Sequence, residues 1–177
     1  LQDVLANRGY HPFDLRKEIG ERAEKKTVLH HLAVGKKVVY HAPYASNYPA
    51  SGDATLVDGK SGGWDFQDGA WQGFISANRL DVTIDLGVVT PLRLIKAAFF
   101  QSVSADIYTP SEIDILVSDN GVEFHQLDHR QYNVDISTDF KVQTLEWRGE
   151  SKARFIRYQA KSGKQNGWIF TDEICVQ

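Results

Sequence analysis

The sequence contains no methionine and only one cysteine, Cys175, in 177 residues. A single thiol cannot close a disulfide within the chain, so stability must come from a packed core. Cys175 stands in Glu173-Ile-Cys-Val176, which reads as a strand, and a buried, inert thiol is expected there. With no methionine at all, the sequence is expected to be a processed chain or a fragment of a longer one. The lack of a leader at Leu1 then says nothing about export. Charge of one sign is also scarce: 20 Lys and Arg stand against 23 Asp and Glu, a formal net charge of −3. No broad basic surface for nucleic acid is implied. No apolar run approaches the roughly 20 residues of a membrane-spanning helix. A His-Glu-x-x-His pair and a Gly-x-x-x-x-Gly-Lys-Ser/Thr phosphate-binding loop are both missing. The histidines do not suggest zinc, because the segment carrying His125 and His129 does not read as a helix.

What is present is ordinary in composition, with 42% hydrophobic and 24% charged residues. That suits a globular domain long enough to bury a core. The chain divides near residue 33. Before it, Leu15, Ile19 and Ala23 recur at helical spacing with Asp14 as N-cap, giving a short helical extension or linker over 1–33. From residue 34 the pattern becomes strand-like. Lys36–Tyr40 forms a first strand. Leu80, Val82, Ile84 and Leu86 alternate with Asp81, Thr83 and Asp85, one face in and one face out. Leu92–Gln101 is a longer apolar strand. Ile113, Ile115 and Val117 lead into Ser118-Asp-Asn-Gly121, a hairpin turn, with Val122 and Phe124 returning. Val142–Trp147, Ala153–Ala160 and Ile174–Val176 complete the set, and Trp147 is expected in the core. Short strands without βαβ alternation indicate an antiparallel β-sandwich.

The most unusual segment is Leu56–Phe74, which holds five glycines, three aspartates and two tryptophans. Asp-Gly pairs mark tight turns, whereas aromatic side chains seek burial. A turn-rich loop with both suits a ligand surface or a cation-ordered loop. Calcium takes six to eight oxygens from carboxylates and carbonyls, and Asp58, Asp65 and Asp68 lie where both are on offer. Sugars need an aromatic platform for their C–H face, with amide or cationic groups around it. Trp64, Trp71, Gln72, Tyr108 and Trp168 are the loop residues of that kind, and His41, Tyr44, Asn47 and Arg130 are further candidates.

Three motifs in order, Asp68-Gly-Ala-Trp-Gln-Gly-Phe74, Asp81-Val-Thr-Ile-Asp-Leu-Gly87 and Gly167-Trp-Ile-Phe-Thr-Asp-Glu-Ile174, resemble the discoidin domain, also called the coagulation factor V/VIII type C domain. Ile107–Phe124 and Ala153–Tyr158 resemble its hairpin and a later strand. The Trp-Gln-Gly-Phe and Gly-Trp-Ile-Phe-Thr-Asp-Glu-Ile versions are similar to the copy that follows the barrel of bacterial β-hexosaminidases (chitobiase-like, family 20 glycoside hydrolases). The resemblance implies an eight-stranded jelly roll over 34–177. It also implies a structural calcium at Asp58 closed by Glu173, although Lys60 stands where the family places an acidic residue or Asn. It implies a non-catalytic carbohydrate-binding module serving a glycosidase in the same polypeptide, outside the cytoplasm. Galactose-type or N-acetylhexosamine glycan ends are the expected partners, and a structural module without sugar affinity is the alternative. Asp172-Glu173 repeats the acidic dipeptide of family 20 enzymes, but a barrel of about 250 residues is missing, so no hydrolysis is expected. Membrane binding is not expected either, because the apolar loop residues stand among acids.

Overall fold

Period-two alternation fixes the longest strands. The computed structural model describes residues 29–75 and 79–177, so the helical extension expected before residue 29 lies outside the described residues. Among the described residues seven strands are present: β1 (Lys37–Tyr40), β2 (Gln72–Ile75), β3 (Leu80–Ser102), β4 (Pro110–Ser118), β5 (His125–Gln131), β6 (Phe140–Ser162) and β7 (Trp168–Val176). Every pairing between these strands is antiparallel, in the order β2-β7-β3-β6-β4-β5 with β1 beside β3. Strands β3 and β6 are 23 residues each. The first arm of β3, Leu80–Asp85, pairs with β1 and with Phe155–Ala160 of β6. Its second arm pairs with β7 and with the first arm of β6. Register shifts between Asp85 and Thr90 mark the corner where the ribbon folds over. Two long strands thereby serve both layers of the expected jelly-roll sandwich.

Leu80, Val82 and Ile84 of the first layer meet Leu92, Ile95, Ala97 and Phe99 of the second in one core. Trp147 joins it, as expected. On the outer face of the first layer, Asp81 accepts a bidentate pair from Arg157 at 2.9 Å each and a bond from Gln159. Asp85 accepts a similar pair from Arg154.

Three local expectations change. The stretch 72–75, read as part of a loop, is the edge strand β2, in register with Trp168–Thr171. Gly73 permits this, since a Cβ there would lie 2.8 Å from the Phe170 ring and 2.9 Å from Tyr48. Val122, read as returning strand, sits in the turn and is exposed, because β5 starts only at His125. Residues 29–33, grouped with the linker in the sequence reading, pack on the sandwich: Leu29 and Leu32 donate to Gly59 and Val176, and Ala33 is in the core.

Candidate functional site

The Gly-rich loop does not project from an end of the sandwich. It lies flat on the outer face of the second layer and covers a second aromatic cluster. Phe100 and Phe170 point out of that sheet, and Trp71 and Phe66 come down on them. Trp71 is 1% exposed and donates its Nε1–H to the Gly63 carbonyl at 3.1 Å. Trp64 stacks on Phe140 with centroids 5.5 Å apart.

A β-bulge places two acids beneath this loop. Two steps on β3, Ala97 to Phe99, face three on β7, Ile174 to Thr171. Asp172 accepts the Gly62 N–H at 2.7 Å and Glu173 accepts the Gly59 N–H at 2.9 Å. Glu173 Oε1 also meets His31 Nε2 at 2.7 Å, while its Oε2 is buried without a hydrogen-bond partner. Burial pushes the Glu173 carboxyl up to about 9, helped by the Asp58 charge against the Gly59 N–H. Burial, with Lys96 adding, pulls the His31 imidazole down to about 4. With no cation present, the pair is a hydrogen bond to a neutral imidazole rather than an ion pair.

Two of the four expected metal residues converge here. Asp58 is close enough to Glu173 to raise its pKa, and its Oδ1 accepts the Lys60 N–H. A buried, unpartnered carboxylate oxygen beside a second carboxylate in a Gly-rich loop fits a hard cation. Lys60 is exposed, and no ion pair joins it to Asp58 or Glu173 among the described residues. Asp65 and Asp68 have another task. Asp65 accepts the Gln67 N–H, and the two Asp68 oxygens accept from Gly63 and Ala70. They shape the loop from within, which is the usual work of Asp in turns.

The expected sugar residues divide as well. Gln72 is closed to any ligand, whereas Trp71, though 1% exposed, lines a cleft. Gln72 is 0% exposed, donates to the Pro49 and Gly52 carbonyls and accepts the Tyr40 hydroxyl. Tyr108 is buried, with the Lys164 ammonium 3.3 Å from its hydroxyl. Trp64 and Trp168 remain half-buried. Trp168 meets Tyr48 edge-on at 5.3 Å, and Tyr48 lies 6.1 Å from Phe66. Between the loop at 47–50 and the loop at 66–71 opens this cleft of about 410 Å³, lined by Asn47, Tyr48, Phe66, Gln67 and, at its buried floor, Trp71. Both amides are exposed, and the Tyr48 and Phe66 rings are half-buried. Asn47 and Trp71 are among the residues expected from sequence, whereas Tyr48, Phe66 and Gln67 are not. Of the other candidates, His41 bonds Thr83, Tyr44 donates to Asp53, and Arg130 pairs with Asp128 on β5.

A third feature was not anticipated. Register pairs Asp114 with His129, and Glu112, Asp114 and His129 bring ligand atoms within 4.8 Å of one another. Lys161 lies 3.2 Å from Glu112, and His129 is bound to Asp114, whose hydrogen bond raises the imidazole pKa.

Residues 40–174 match the F5/8 type C domain. No curated protein matches the sequence. Among solved structures, the chain is similar to CpGH89CBM32-5 from Clostridium perfringens, in complex with GalNAc-β-1,3-galactose, with a TM-score of 0.57 and 18% identity over 83% of this chain and 99% of that one. It is also similar to a Streptococcus pneumoniae fucose-binding module, with a TM-score of 0.55 and 16% identity over 84% and 94% of the two chains. The lectin domain of lectinolysin, complexed with Lewis B antigen, gives a TM-score of 0.57 and 15% identity over 85% and 98%.

Proposed function

Because the chain belongs to the F5/8 type C domain family, we propose that it is a non-catalytic carbohydrate-binding module. The observation that carries this is the cleft between the two loops. Half-buried rings of Tyr48 and Phe66 stand beside the exposed amides of Asn47 and Gln67, with Trp168 against Tyr48. A sugar laid there would place its C–H face on an aromatic ring and its hydroxyls against the amides. Ring contact gives affinity, and the paired amides give orientation. The relatives named above, in complex with GalNAc-β-1,3-galactose or Lewis B antigen or described as fucose-binding, support glycan ends as the ligand class. Galactose or N-acetylhexosamine ends are the finer choice.

A calcium ion at Asp58 and Glu173 is part of the same proposal. Those two carboxylates and neighbouring loop carbonyls would hold it. It would supply charge that offsets two close acids, and so fix the loop that floors the cleft. The module would serve a glycoside hydrolase of the chitobiase-like group in one polypeptide, outside the cytoplasm. There, weak sugar binding raises the local concentration of substrate around the tethered enzyme. That part rests on the motif resemblance of the Trp-Gln-Gly-Phe and Gly-Trp-Ile-Phe-Thr-Asp-Glu-Ile segments.

The test is a glycan array probed with the wild-type chain and with Phe66→Ala, each with calcium and with chelator. Retention on galactose- or N-acetylhexosamine-ended glycans that Phe66→Ala loses supports the reading. An array with no retained glycan under either condition favours a structural module instead.

A further inference from the structure

The segment 29–35 straddles both walls of the cation site. The Leu29 N–H donates to the Gly59 carbonyl at 2.6 Å, just after Asp58. The Gly35 N–H donates to the Val57 carbonyl at 2.8 Å, just before it. On the other wall, the Leu32 N–H donates to the Val176 carbonyl at 2.8 Å, on the strand that carries Glu173. His31 stands between these anchors with its side chain 0% exposed.

The imidazole is fully engaged. Its Nδ1 accepts the Ala33 N–H at 3.2 Å and the Val176 N–H at 3.4 Å. Two donors on Nδ1 place the ring proton on Nε2. That N–H then donates to Glu173 Oε1 at 2.7 Å, and Gly59 donates to the same oxygen at 2.9 Å. One carboxylate oxygen is saturated and the other, Oε2, is buried with no partner.

From this division of labour we infer that His31 is a positioning residue of the cation site, and that segment 29–35 and a calcium-class cation bind the sandwich cooperatively. The inference rests on the cation reading above. A neutral donor suits the role. A Lys or Arg at this place would set a fixed positive charge against an incoming cation, whereas the imidazole N–H fixes the direction of Oε1 and leaves Oε2 for the metal. Partners behind a ligand set its orientation in this way, and losing one typically weakens metal affinity by about 10–100-fold. The coupling is reciprocal: a cation that binds better with the segment docked must hold the segment more tightly. Occupancy of the site would thus fix the direction in which the chain enters the sandwich at Leu29.

The experiment uses the full chain after chelator treatment. Calcium chloride is titrated calorimetrically into wild type, His31→Leu and His31→Gln, and amide hydrogen exchange is followed at Leu29, Leu32 and Ala33. Leucine keeps much of the bulk without the donor, whereas glutamine offers an Nε2–H in a similar place. The expected result is calcium binding by wild type, a loss of about tenfold or more in His31→Leu, and recovery in His31→Gln to within about threefold. Calcium should also slow exchange at the three amides in wild type. Equal affinity in wild type and His31→Leu would overturn the role of His31 while leaving the cation reading in place. Should His31→Leu not fold, wild-type amides whose exchange calcium leaves unchanged would overturn it equally. If wild type binds no calcium, the cation reading falls and this inference falls with it.

Discussion

Single residues separate the two kinds of aromatic in this molecule. Trp71 is walled in by Phe100 and by the backbone at Gly62, where a Cβ would lie 2.2 Å from the indole Nε1. Gly62→Ala must therefore push the ring out of place and should cost about 1–3 kcal/mol by overpacking. Trp71→Ala should cost about 3–5 kcal/mol by leaving a cavity. Denaturant melts of both variants check this, and neither should retain wild-type stability. Phe66 and Tyr48 are half-buried at the cleft, so Phe66→Ala should remove sugar binding with a smaller loss of stability. The contrast explains why the sequence misled at this scale. Gln72 and Tyr108 have residue types that suit a sugar site, but residue type says nothing about which way a side chain faces. Gln72 proves to be the bolt that ties Tyr40 to the loop at Pro49 and Gly52.

At the scale of elements, strand character was legible wherever alternation was strict. Leu80–Leu86 showed both its faces, because each apolar residue meets the core and each polar one meets the opposite side. β2 was hidden, since Gly73 has no side chain to alternate and Gln72 is a buried polar residue. The continuity of β3 and β6 was hidden too, because the corner at 86–90 interrupts the pattern without ending the strand. Register sets Gln159 opposite Asp81 and Arg157 opposite Thr83, and Arg157 reaches Asp81 diagonally on the same face. Burial would raise the Asp81 pKa, but hydrogen bonds from Arg157 and Gln159 outweigh it and hold it below the usual value. A carboxylate lowered in the folded state adds stability above its unfolded pKa, about 3.8. That stability disappears as pH falls through the still lower folded value. Asp81→Asn leaves the partly exposed Arg157 half-partnered and should cost about 1–2 kcal/mol at neutral pH. The gap from wild type should begin to narrow below about pH 4 and close only below the lower folded-state value. Urea melts at several pH values test this, and a gap independent of pH would exclude the ion pair as its source.

The whole molecule is a sandwich with a loop laid over one face, and the loop joins the proposed cation site to the cleft. Gly59 and Gly62 bond the two acids of the β7 bulge, and Phe66 and Gln67 line the cleft a few residues later. A cation that binds only the folded chain, at 100 times its dissociation constant, stabilises by about 2.7 kcal/mol. For a chain of this size that is roughly 5–10 °C in Tm. Calorimetric scans in chelator and in calcium should differ by that amount, and identical scans would remove calcium from the proposal. The resemblance in sequence reached this level of organisation because Asp58-Gly59 and Asp172-Glu173 sit at the two ends of the pattern. The cleft was not legible, since it is formed by residues from separate loops that are brought together by tertiary packing of Tyr48 and Phe66 on each other and on Phe170.

The most direct test of the central claim is a titration of the wild-type chain with galactose and with N-acetylhexosamines, followed by tryptophan fluorescence. Trp168 lies against Tyr48 at the edge of the cleft and should report occupancy. A shallow site with one stacking contact should bind with a Kd of about 0.1–10 mM, or roughly −5.5 to −2.7 kcal/mol. The predicted result is saturable quenching or enhancement in that range, abolished in Phe66→Ala and preserved in Asp81→Asn. A spectrum unchanged by every sugar, or a response that survives Phe66→Ala undiminished, would contradict a carbohydrate site at this cleft.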